Sequence, residues 1–122
     1  MNAAARYGSI QNETASRERL MVMLFEAALR NIRQGIGEIE EGRKLDGSRT
    51  LLKASEIVAY LRRTLDHGRA PELCSNLSAV YTFVCARLIK AATARIAPPA
   101  REAEKVLAPV VEAFATAVRK AA

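Results

Sequence analysis

Met21, Phe25, Ala28, Ile32, Ile36 and Ile39 follow one another at spacings of three or four residues. On a helix of 3.6 residues per turn that spacing draws one continuous apolar stripe. Leu20, Leu24 and Leu29 widen the stripe. A helix apolar around so much of its girth must be covered on several sides. Ser16 reads as its N-cap, because a serine hydroxyl can accept from a free backbone N–H of the first turn. Gly42 reads as its stop. The expected helix therefore runs from Ser16 to Glu41.

Three more helices follow the same logic. The second runs from Ser48 to His67 on the stripe Leu51, Ala54, Val58, Leu61 and Leu65, and Gly68 ends it. The third opens at Pro71, a favoured first-turn residue, and carries Leu73, Leu77, Val80, Tyr81, Val84 and Leu88 until it fades near Ala94. Ile96-Ala97-Pro98-Pro99 breaks the chain again, and the fourth helix runs from Pro99 to Ala121 with Ala103, Val106, Leu107, Val110, Val111, Phe114 and Val118 inward. Pro109 lies inside it and removes one backbone hydrogen bond, so a kink is expected there. Four amphipathic helices with short connections give an all-α, antiparallel up-down four-helix bundle. The 122 residues make a single domain. Residues 1–15, with Tyr7 and Ile10 among polar neighbours, read as a short N-terminal capping segment.

Composition narrows the functional classes. The uninterrupted apolar runs are a few residues long, so neither a membrane span nor stable membrane insertion is expected. The N-terminus lacks the apolar segment of a secretory signal. Cys74 and Cys85 are separated along one helix by ~16 Å at 1.5 Å rise per residue, too far to bridge. They read as small core residues of a reducing cytoplasm. The net charge of +6 is spread along the chain, with doublets at Arg43-Lys44, Arg62-Arg63 and Arg119-Lys120. Nucleic-acid readers usually add a basic stripe and a reading motif. No such motif stands here, so no specific nucleic acid is expected, and a basic helical adaptor for nucleic acid is the alternative reading.

Catalytic chemistry is missing from the pattern. His67 is the single histidine and sits near an expected helix C-terminus, where a cation suits the exposed carbonyls. There is no Gly-rich phosphate loop and no metal-spaced His/Cys set. Glu38, Glu40 and Glu41 lack the Glu-x-x-His partner of di-iron bundles and read as a solvated helix end. No enzyme, cofactor or metal site is expected. Ile57, Phe83 and Ile89 lie off the main stripes, and they either fill a wide core or lend a face to a partner helix.

The ordered set Tyr7…Gln11…Glu13-Thr14-Ala15-Ser16, then Leu20, Met23-Leu24-Phe25-Glu26 and Ala28-Leu29, resembles the opening of FliS-type flagellar secretion chaperones. Those carry a Tyr and a Gln ahead of E-T-A-S-P and a helix containing M-L-Y-[DE]-G-A. Leu61 and Leu65-Asp66 look like the end of that family's second helix. Asn76-Leu77, Tyr81, Leu88 and Ala91 are similar to its third-helix signature. Arg17 stands where Pro is usual, Phe25 where Tyr is common, Ala27 for Gly and Ala92 for Asn. The resemblance implies a cytoplasmic helical bundle that binds the C-terminal segment of flagellin. It also implies a block on premature polymerisation and assistance with delivery to the flagellar export gate. An N-terminal segment would cover part of the binding surface until ligand displaces it. The resemblance, with the apolar surplus of helices two and three, makes Tyr7, Ile10, Gln11, Ile57, Leu61, Leu65, Asn76, Leu77, Val80, Tyr81 and Val84 the candidate partner-binding residues.

Overall fold

The computed structural model describes the backbone of residues 3–121 and the side chains from Arg17 to Ala121. Four helices make up the chain: α1 (Ala3–Glu40), α2 (Lys44–Arg63), α3 (Pro71–Ala94) and α4 (Pro98–Ala121). Each packs on its sequence neighbour, and α1 closes the ring against α4. Cross-links show the alternation of direction. Ser48 Oγ donates to the Ala92 carbonyl at 2.8 Å, and the Cys85 thiol meets the Ser55 carbonyl at 3.5 Å, so α2 and α3 run antiparallel. Arg33 pairs with Glu104, and Arg101 with Glu40, so α1 and α4 do the same. The architecture is the expected up-down bundle.

α1 begins thirteen residues before the expected N-cap (Ala3 against Ser16). Ala3-Ala4-Ala5-Arg6 are strong helix formers, and no proline interrupts the stretch up to Glu40. A serine caps a helix only where the chain upstream declines to be helical. The end of α1 is as expected. Gly42 takes φ +89°, its N–H reaches the Ile39 carbonyl at 3.1 Å, and the Arg43 N–H reaches the Glu38 carbonyl at 2.8 Å. That is the paired-bond stop of a left-handed glycine.

α2 starts and ends four residues early. Thr64 donates its hydroxyl to the Leu61 carbonyl at 3.0 Å, and the Asp66 carbonyl accepts the N–H groups of Arg69 and Ala70. This turn ends the helix before Gly68. Leu65 and His67 therefore lie in the α2–α3 connection, and His67 is exposed there, three residues past the C-cap Thr64.

The expected stripes form the core. Phe25, Ile32, Leu51, Val58, Leu61, Tyr81, Val84, Leu88 and Leu107 are buried to 2% exposure or less. α1 and α2 approach closely at Gly35 and Gly47, where a Cβ on Gly47 would meet α1 backbone as well as the Ile39 side chain. Glu38 departs from the solvated role expected for it. It is 8% exposed and accepts from Thr50 Oγ1 at 2.6 Å and Gln34 Nε2 at 3.1 Å, with Arg43 at 3.7 Å. These hydrogen bonds, Thr50 first, hold its carboxyl below the ordinary value. Glu40 and Glu41 are ion-paired to Arg101 and Arg43. Glu38 thus fastens the α1–α2 corner, Glu41 joins it through Arg43, and Glu40 ties α1 to α4.

α3 is the most apolar of the four helices. It is long and apolar enough to cross a membrane by length and composition alone. In the bundle, Tyr81, Val84, Leu88 and Ala91 fill the core, while Leu73, Phe83 and Ile89 remain 44–58% exposed. Its apolar surplus lies on the surface.

Candidate partner-binding cleft

At the end of the bundle where α2 hands over to α3, the core is left open. Leu73 was expected inward but is 58% exposed, and Leu77 and Phe114 are half-buried. Together with Met21, Phe25, Leu65, Tyr81, Val110, Ala113 and Ala117 they line a cleft of about 380 Å³. Every lining side chain is apolar apart from the Tyr81 phenol. α1, α3 and α4 each supply one wall, and the α2–α3 connection supplies Leu65.

The floor is an aromatic cluster. Phe25 lies 6.0 Å from Tyr81 and 5.3 Å from Phe114 between ring centroids, tilted by 53° and 58°. Tilted rings at such distances attract beyond the area they bury. Burial, with a smaller push from Cys74, raises the Tyr81 hydroxyl to about 12. The cleft therefore carries no charge at neutral pH. The Cys74 thiol is tied to the Asp66 carbonyl at 3.3 Å. Burial pushes the Cys85 thiol up, against a smaller pull down from Arg62. The Cys85 thiol is thus pushed the opposite way from the lowered pKa that makes a nucleophile.

The expected binding residues divide into groups. Leu65, Leu77 and Tyr81 meet in this cleft. Val80 is half-buried one turn further along α3, and Asn76 is exposed beside Leu77. Ile57 lies elsewhere, in a shallower depression of about 350 Å³ with Leu20, Leu24, Glu56 and Tyr60. Leu61 and Val84 are 1% and 0% exposed. Both belong to the core, because their stripe positions face the bundle axis. Tyr7, Ile10 and Gln11 lie outside the described side chains.

Sequence reasoning missed Met21, Phe25, Leu73, Val110 and Phe114 as cleft residues. Their periodicity marks them as inward-facing. It does not say that the bundle is open at their level.

A helical bundle with an uncharged apolar cleft is equipped to hold a peptide. The family model for flagellar protein FliS matches residues 1–121. The chain belongs to the FliS family. The flagellar secretion chaperone FliSB of Pseudomonas aeruginosa is 31% identical over 97 residues, which covers 76% of this chain and 77% of the relative. The resemblance carried by Glu13-Thr14-Ala15-Ser16 and the third-helix positions therefore identifies the right family. Members of the FliS family are chaperones that act by binding rather than by catalysing a reaction, so this chain is no enzyme.

Proposed function

We propose that the chain binds the C-terminal segment of flagellin in the cytoplasm, keeps it from polymerising prematurely and assists its delivery to the flagellar type III export apparatus. The observation that carries this reading is the apolar cleft between α1, α3 and α4, open at Leu73 and floored by Phe25, Tyr81 and Phe114. An amphipathic segment that is disordered alone must find such a surface to offset its ordering entropy. Leu65, Leu77 and Tyr81 are the members of the expected set best placed to touch it, with Val80 and Asn76 at the margin. The N-terminal residues Tyr7, Ile10 and Gln11 compete for the same surface in this reading.

Calorimetry and circular dichroism on the chain mixed with a flagellin C-terminal peptide test the proposal. A 1:1 complex with added helicity is the expected result. Neither heat nor added helix would remove the flagellin reading and leave the family assignment standing.

A further inference from the structure

α1 is longer than the bundle it belongs to. The Arg33–Glu104 and Arg101–Glu40 pairs fix its register against α4. Carried along both helices, they place Ala121, the last residue of α4, level with residues 16–20 of α1. The Arg87–Glu102 pair places Pro71, the first residue of α3, beside the same end of α4. The Thr50–Glu38 bond stops α2 earlier still, near residue 25 of α1. Residues 3–15 of α1 therefore run on past the other three helices, for about 20 Å at 1.5 Å per residue.

The apolar cleft lies at this same end, between Met21, Leu73, Leu77 and Phe114. The chain's own overhang is the nearest cover for it, but the helix prevents that. α1 is one helix from Ala3 to Glu40, and no proline breaks it. Helices curve with a radius of ~60 Å or more, so a projection of ~20 Å leaves the axis by only about 3 Å. It does not turn back onto a cleft beside its own root.

The sequence register gives the overhang the apolar row that continues into the cleft wall. Ala3, Tyr7, Ile10 and Thr14 follow at steps of four, three and four, and Met21 and Phe25 continue the row. At 100° per residue these positions fall within about 60° of arc. Anchors at such spacing are how an amphipathic helix seats in a groove. Arg6 and Glu13, one of each sign, are the charged side chains between Ala3 and Ser16. The cleft is uncharged as well, so joining the two buries no net charge.

We propose that the overhang of α1 seats in the cleft of a second copy of this chain, with Tyr7 and Ile10 against the partner's Leu73, Leu77 and Phe114, and that the exchange is reciprocal about a two-fold axis. Such an isologous contact closes on itself. Concentration then sets how much of the cleft is covered. The dimer is the form in which the cleft is kept from solvent, and a peptide that takes the cleft separates it. That last link rests on the proposed function, whereas the exchange itself does not.

The test uses the full chain and no flagellin, so its failure and that of the flagellin reading are distinguishable. Light scattering gives the oligomeric state over a dilution series, and Nile red, an uncharged dye, reports open apolar surface. Dimer should give way to monomer on dilution, with dye fluorescence per chain rising in step. Tyr7→Glu with Ile10→Glu, and separately Leu73→Glu, should each weaken the dimer by about tenfold or more. Mixed together, these two variants should pair more tightly than either does alone, because one keeps its cleft and the other its overhang. Arg17→Pro restricts Ser16 to non-helical backbone and starts the helix there. It should break the rod and leave a monomer whose dye binding does not change with concentration. A wild-type chain that is monomeric throughout with constant dye binding would overturn the proposal. So would a dimer that any of the three variants leaves unweakened, or a mixture that pairs no better than its components.

Discussion

A methyl group placed on Gly47 would lie 2.8 Å from the backbone carbonyl oxygen of Gly35. The same methyl would press on Ile39 Cγ1 at 2.5 Å. Both contacts are shorter than van der Waals packing allows, and one partner is backbone, which cannot rotate away. The close approach of α1 to α2 at this level therefore depends on these two glycines. Gly47→Ala should destabilise the chain by about 1–3 kcal/mol, the usual range for overpacking, despite the better helix propensity of alanine. Urea unfolding of the variant checks this. An unchanged midpoint would mean that the helices can separate without loss.

The connection after α3 turns on a residue held against its preference. Arg95 sits at φ 58° and ψ 46°, the left-handed region, and its neighbour Ile96 bonds back to the Ala91 carbonyl at 3.1 Å. A side chain there costs roughly 1–2 kcal/mol, which glycine avoids. Arg95→Gly should raise stability by about 1 kcal/mol, read as a higher melting temperature.

α4 is helical throughout its length, Pro109 included. The proline has no N–H for the Lys105 carbonyl, and it is exposed on the outer face. Pro109→Ala should restore that bond and stabilise α4 by about 3 kcal/mol at most. Thermal melts of the pair decide it, and a lower melting point for the variant would refute the expectation.

Glu38 should make the α1–α2 corner acid-sensitive. Its carboxyl is held below its ordinary value in the folded chain by hydrogen bonds from Thr50 and Gln34, with Arg43 and Lys53 assisting. A depressed folded pKa adds stability above the unfolded value, and that stability fades as pH falls through the folded one. Glu38→Gln should remove this portion of the pH dependence at the acid end. Melting temperature against pH, measured for both proteins, gives the comparison. Parallel curves would show that Glu38 carries no such linkage.

Leu73 offers a binding test that spares the fold, since more than half of its surface is exposed. Leu73→Glu should weaken the flagellin peptide by about tenfold, or 1.4 kcal/mol, and change stability by about 0.5 kcal/mol or less, as surface substitutions do. Titration with the peptide, alongside a melt, separates the two effects.

The periodicity of apolar residues determined by itself that the chain makes four helices and that Phe25, Ile32, Val58, Tyr81 and Leu107 face inward. Burial of a stripe is a local necessity, and spacing reports it directly. Gly42 and Pro71 were legible for the same reason, since backbone freedom and a missing N–H act within a few residues. The start of α1, the early end of α2 at Thr64 and the burial of Glu38 were not legible. Each depends on bonds or helical continuation beyond the local signal, such as Thr50 reaching across to Glu38. The cleft lay furthest from the sequence. Leu73 and Leu88 carry the same pattern on α3, yet Leu73 is exposed where the bundle is open and Leu88 is fully buried. What covers an apolar side chain is decided by the neighbouring helices, and only their packing sets where coverage stops.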